Sequence, residues 1–220
     1  MKLHTGNLYW PANTEPISLK IDNNIREKSD VLVVGSGMSG ALASYELSKN
    51  GYKVTLIEQN RIASGSTSAN TGLIQYMSDQ GVKKFSEQIG IENAVKFYNQ
   101  SKEAVSDLSA IEKDLFVINQ KNFKKSDSLI LATDKKKIDD VKDETKMQKE
   151  IGYDVDYVDR QELESYNISA YGGLKCGPDI NLNPYDFVLR LLKTSCENYD
   201  LQIVEGVRFI EAINKNGENI

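Results

Sequence analysis

Apolar residues in this chain alternate between short runs and periodic stripes. Val31-Leu32-Val33-Val34 is a continuous run ended by Gly35, the pattern of a strand buried on both faces. From Met38 to Asn50 the spacing becomes helical, with Met38, Ala41, Leu42, Tyr45 and Leu47 near one side, and Asn50-Gly51 stops it. Tyr52 to Glu58 is a second strand. Strand, helix and strand in so short a span make one βαβ unit and imply a parallel sheet.

The remaining pattern is less regular. Pro11, Pro16, Asn13 and Thr14 break up residues 1–29, which read as an arm that Tyr9 and Trp10 anchor on the body of the protein or, as the less common alternative, on a partner. Residues 59–75 form a small, polar, glycine-containing loop. A helical pattern covers 82–115 through Phe85, Ile89, Val95, Tyr98, Val105, Leu108 and Ile111, with Gly81 and Gly90 splitting it. Ser128–Thr133 predicts a strand. Residues 134–150 predict a charged helix with a sparse stripe of Ile138, Val141 and Met147, its lysine run a solvated face. Val155–Val158 is a short strand and Arg160–Tyr166 a short helix.

Gly172 to Pro178 reads as an extended segment with turns. Pro184 opens a helix whose apolar face is Phe187, Val188, Leu191, Leu192 and Cys196. Leu201–Val204 and Val207–Ile213 predict strands. A hairpin turn centred on Asn216-Gly217 follows, with Ile220 beginning the returning strand. The fold class expected is α/β: a Rossmann-like βαβ domain with part of an inserted α+β domain. Its divisions are expected at 1–29 for the arm, 30–115 with 184–220 for the βαβ domain, and 116–183 for the insert.

Composition narrows the function. The chain has 220 residues, 40% of them apolar, and a net charge of −5. That balance lacks the basic footprint of a nucleic-acid binder. Cys176 and Cys196 form no CxxC pair and predict buried thiols rather than a zinc site. His4 is the only histidine, so neither a His-rich metal site nor a Ser-His-Asp triad is available. No targeting signal or membrane-length apolar segment is visible, which predicts a soluble cytoplasmic protein.

The chemistry sits at Gly35-Ser36-Gly37-Met38-Ser39-Gly40, a GxGxxG motif between strand and helix. Gly35 permits the tight turn, Gly37 leaves room for a diphosphate against the backbone, and Gly40 lets helix and sheet approach. The amides opening the helix, Met38 and Ser39 among them, face the phosphates with the favourable end of the helix dipole. No lysine follows, so this is not a P-loop. Seventeen residues after Gly40 comes Glu58, at the end of the second strand. A carboxylate there accepts hydrogen bonds from both ribose hydroxyls of an adenosine and repels a 2′-phosphate. These residues leave FAD and NAD both open.

The segment Arg61-Ile62-Ala63-Ser64-Gly65-Ser66-Thr67-Ser68-Ala69-Asn70-Thr71-Gly72 resembles the loop that, in the D-amino-acid-oxidase-type flavoproteins, passes the diphosphate and reaches the flavin. Glycine and sarcosine oxidases belong to that family. The resemblance is strong over 31–74, extends over residues 8–220, and implies non-covalent FAD, since Ala69 stands where some relatives carry a flavin-linking histidine. It implies cofactor contacts from Gly35, Gly37, Met38, Ser39, Gly40, Glu58, Gln59, Arg61, Ser66, Thr67, Ser68, Asn70, Thr71, Gly72 and Leu73, and from the backbone of Val207. It implies oxidation of a C–N bond in a small amine or amino acid by hydride transfer to flavin. Members of the family continue well beyond 220 residues, so an N-terminal fragment is expected. No catalytic residue stands out: Arg160, Arg190 and Arg208 read as surface or interface residues, Tyr76 and Tyr171 as packing. An NAD-dependent dehydrogenase, or a non-catalytic remnant keeping only the βαβ unit, are the alternatives.

Overall fold

The computed structural model describes residues 6–115, 123–215 and 218–219; His4 and the Asn216-Gly217 turn lie outside them. The chain divides into two compact units, one of residues 1–72 and 183–220, the other of residues 73–182. The first break therefore falls at Gly72, not at 115.

The first unit is built on three parallel strands, β1 (Val31–Val34), β2 (Val54–Glu58) and β7 (Leu201–Glu205), in the order β1-β2-β7. Helix α2 (Met38–Lys49) is the crossover from β1 to β2, and α7 (Pro184–Asn198) leads into β7. The central strand β2 is buried along Val54, Thr55, Leu56 and Ile57. β1 departs from expectation. Leu32 and Val34 are half exposed, because α2 packs on the Val33 face and no described element of this unit covers the other.

α2 also buries an unexpected face, Ala41, Ser44, Tyr45 and Ser48. These positions are spaced i, i+3, i+4, i+7, and the small serines suit close packing on a sheet. α7 begins as its sequence predicts. The Asn183 side chain accepts from the amides of Tyr185 and Asp186, and Pro184 fills the first helical position.

The N-terminal segment is part of this unit. A single helical turn, α1 (Tyr9–Ala12), packs against α7 and the 66–72 loop. Further on, the Asp22 amide donates to the Ile203 carbonyl, and Arg26 pairs with Asp200 at 2.5 Å.

In the second unit β6 (Gly172–Leu182) is the spine of an antiparallel sheet. It pairs with β4 (Phe123–Leu131) along one edge, and with β5 (Val155–Asp159) and β3 (Leu73–Ile74) along the other. Helices α3 (Gly81–Ile89), α4 (Ile91–Leu115), α5 (Ile138–Glu150) and α6 (Arg160–Ser165) complete it. Gly90, at φ 83°, separates α3 from α4.

The extended segment expected at 172–178 is there, but in place of the expected turns it runs on as a central strand. Its glycines admit neighbours: a Cβ on Gly172 would lie 2.2 Å from the Tyr157 hydroxyl. Pro178, which has no N–H to give, lies where the β4–β6 register shifts between Ser126 and Ser128. The α3 and α4 helices pack on each other and on α5 and β6, which is why the boundary moves to 72.

Residues 207–213, expected as a strand, form no ladder. Phe209, Ile210 and Ile213 are exposed, and only the short pair β8 (Asn214–Lys215) and β9 (Glu218–Asn219) follows. Both cysteines are free thiols, and burial pushes each up to about 11. Among the described residues, no helix is long and apolar enough to cross a membrane.

Candidate functional site

The end of β1 and the start of α2 build the site. Gly35 turns out of the strand at φ 93°, a conformation that favours glycine, and its amide donates to the Ile57 carbonyl at 2.8 Å. Gly40 is fixed by contact. A Cβ there would fall 1.9 Å from the Gly35 carbonyl oxygen, so only glycine fits. Gly37 is different: its missing Cβ would meet only the Thr67 hydroxyl, at 3.3 Å. The helix has no side-chain cap. The Met38 amide donates to Thr67 Oγ1 at 3.2 Å, and among the described residues the amides of Gly37, Ser39 and Gly40 make no hydrogen bond. A helix start with spare donors and a vacant Cβ position could hold a diphosphate.

Glu58 closes the other side. Its Oε2 accepts from the Ser36 amide at 2.9 Å and the Ser36 hydroxyl at 2.8 Å, and its Oε1 from the Asn60 amide at 2.8 Å. Burial alone pushes this carboxyl up, but the donors from Asn60, Ser36 and Gln59 outweigh it and hold the group below its ordinary value. Glu58 is therefore ionised at neutral pH, with acceptor capacity left for a sugar hydroxyl. The Val207 amide donates to the Glu58 carbonyl at 3.0 Å, which fixes residue 207 beside the strand end.

The 59–72 loop then folds back on the helix start. Ser66–Ser68 form one 3₁₀ turn, which places Thr67 on Met38. The Ser68 hydroxyl faces inward, donating to the carbonyls of Gly65 and Ser64. Asn70 ties the loop together: its Nδ2 donates to the Ser66 and Thr67 carbonyls, and its Oδ1 accepts from the Gly72 amide at 2.8 Å. Gln59, Arg61 and Thr71 are exposed along this loop. Of the predicted site residues, Leu73 alone belongs to the second unit, in β3.

Ser36 was not singled out in the sequence and is one of the best-connected residues in the site. It is fully buried, bonds Glu58 twice and accepts from the Ala63 amide at 3.2 Å. A serine between the first two glycines was the only available sign. Glu205, which accepts from the Ile62 amide at 2.7 Å, was also missed, as its role depends on the β2–β7 register. Arg160 and Arg190 are engaged by Glu164 and Asp186, each at 2.8 Å.

Residues 30–219 match the DAO family, described as FAD dependent oxidoreductase. A probable oxidoreductase, OrdL, from Haemophilus influenzae is 28% identical over 97% of this chain, which spans 49% of that protein. Glycine oxidase from Geobacillus kaustophilus aligns with a TM-score of 0.67 and 19% identity, covering 84% of this chain and 48% of the other. L-Amino acid deaminase from Proteus myxofaciens aligns with a TM-score of 0.74 and 12% identity, covering 93% of this chain and 44% of the other. The strand-and-glycine turn, the loop folded over it and the match across residues 30–219 have one reading: the chain belongs to the DAO family of FAD dependent oxidoreductases.

Proposed function

We propose that this chain binds FAD non-covalently and serves an oxidoreductase that oxidises the C–N bond of an amine or amino acid. The chain spans about half the length of OrdL and of the glycine oxidase, so the reaction is proposed for the whole enzyme. The first unit takes the FAD-binding role and the second forms part of the substrate domain. The observation that carries the reading is the pairing of Glu58 with the glycine turn through Ser36.

When bound, FAD supplies the hydride acceptor for the substrate α-carbon. This chain's residues bind and orient. The amides of Gly37, Ser39 and Gly40 would hold the diphosphate, Glu58 would accept from the ribose hydroxyls, and the 66–72 loop would border the cofactor. Ala69 offers no nucleophile or ring nitrogen for attachment. The amine substrate class is supported by relatives named for glycine and for L-amino acids.

Purified protein reconstituted with FAD is expected to retain it through gel filtration, showing the flavin's visible absorbance, and to release it intact on acid precipitation. Calorimetric titration with NAD is the competing arm. NAD binding without FAD binding would turn the reading into a dehydrogenase, and binding of neither would leave a non-catalytic remnant.

The cradle makes a second prediction. Gly37→Ala places a methyl group 3.3 Å from the Thr67 hydroxyl, which need give by only a few tenths of an ångström, so the fold survives, with a melting temperature within a few degrees of wild type. The same methyl group occupies the path of the diphosphate, and FAD affinity should fall about 10- to 100-fold, equivalent to roughly 1.4–2.8 kcal/mol. Equal affinity in the two proteins would rule the turn out as the diphosphate site.

A further inference from the structure

The N-terminal turn reaches the candidate site through one residue. Trp10 Nε1 donates to the Asn70 carbonyl oxygen at 2.7 Å, across sixty positions of sequence. Asn70 is the residue whose side chain holds the Ser66 and Thr67 carbonyls and the Gly72 amide. Thr67 in turn accepts from the Met38 amide. A continuous chain of contacts therefore runs from Trp10 through Asn70 and Thr67 to the helix start that cradles the diphosphate.

The turn is held at its other end as well. Thr14 Oγ1 donates to the Trp10 carbonyl at 2.8 Å and accepts from Asn183 Nδ2 at 2.9 Å. Asn183 is buried and is also the N-cap of α7. Asn13 closes the turn through the Tyr9 carbonyl at 2.8 Å, and the Tyr9 ring meets Trp10 edge-on with centroids 4.9 Å apart. Residues 9–14 are thus fixed at one end to the loop that leaves the first unit at Gly72, and at the other to Asn183, where the chain returns.

The geometry points to Trp10 as a positioning residue for FAD: it clasps the 66–72 loop in the conformation that receives the cofactor. The inference rests on the proposed FAD reading of the site. A loop of small hydroxyl and glycine residues has much backbone freedom to lose, and order imposed before binding lowers the entropy cost of binding. An indole N–H is a donor only, so phenylalanine removes the bond while keeping most of the ring's packing.

Two measurements on Trp10→Phe test this, one of them independent of FAD. By hydrogen exchange on the FAD-free chain, amides of residues 65–72 should exchange about 5- to 10-fold faster than in wild type, while those of β2 keep their protection. In FAD titrations the variant's Kd should rise by a similar factor of about 5 to 10. Trp10 is the only tryptophan in the chain, so wild-type indole emission should change in step with FAD binding. Unchanged exchange in 65–72, an unchanged Kd, or indole emission indifferent to bound FAD would each overturn the clasp. If wild type binds no FAD, the proposed function fails, and the exchange comparison still decides whether Trp10 orders the loop. Faster exchange throughout, β2 included, would mean general destabilisation and would also count against it.

Discussion

Gly40→Ala is expected to cripple the first unit. The added methyl would sit 1.9 Å from the Gly35 carbonyl oxygen and 3.0 Å from its carbon, well inside any tolerable contact. The neighbour is backbone, so no rotamer change relieves it. Gly35 holds its own turn at φ 93° with its amide on Ile57, and α2 buries Ala41 and Tyr45. Relief requires moving the helix start off the strand end. Overpacking against so rigid a neighbour costs about 3 kcal/mol or more. For a chain of this size that is a fall of about 10 °C in melting temperature, against a total stability of roughly 5–15 kcal/mol. Thermal denaturation followed by circular dichroism would show it without any cofactor. A Gly40→Ala protein melting like wild type would mean that α2 does not approach the sheet at this point. The contrast with Gly37→Ala separates the two glycines: one serves packing, the other ligand access.

What the sequence disclosed and what it hid divide along range. The β1–α2–β2 unit was legible because its signals are local: a four-residue apolar run, glycines at fixed offsets, and a carboxylate closing the next strand. The α7 start was legible for the same reason, with Asn183 and Pro184 adjacent. Misreadings arose where partners lie far along the chain. β6 contains two Gly-Gly and Gly-Pro interruptions, which look like turns until strands on both edges are known. Residues 207–213 have the composition of a strand, but a strand exists only with a ladder, and none is formed there among the described residues. Leu32 and Val34 were expected to be buried because a Val-rich run looks two-sided; coverage of each face is a tertiary fact. The site follows the same rule. Gly35, Gly37, Gly40 and Glu58 could be picked from spacing, whereas the buried bridge at Ser36, the anchor at Glu205 and the hold of Trp10 on Asn70 depend on contacts 22 to 143 positions apart.

Glu58→Ala is expected to abolish cofactor binding at ordinary FAD concentrations while leaving a folded but weakened protein. Two losses coincide. The ribose loses a charged acceptor for its hydroxyls, and hydrogen bonds to charged groups contribute about 1.5–3 kcal/mol each. Two such bonds correspond to a loss in affinity of about 100-fold or more. At the same time the buried Ser36 amide and hydroxyl lose their acceptor, with an unsatisfied buried donor costing roughly 1–3 kcal/mol. Glu58→Gln distinguishes the two effects. Its amide oxygen can keep the Ser36 donors, but its NH₂ group then faces the Asn60 amide, donor against donor, where Oε1 now accepts. Stability should be partly restored and affinity should stay low. Acid should act in the same direction. Because the folded carboxyl titrates below its ordinary value, its charge supports the turn at neutral pH. That support is lost as pH falls through the depressed value. FAD titrations of wild type, Glu58→Gln and Glu58→Ala, with matched thermal melts, give the ranking. A Glu58→Ala protein binding FAD as tightly as wild type would show that the ribose is held elsewhere.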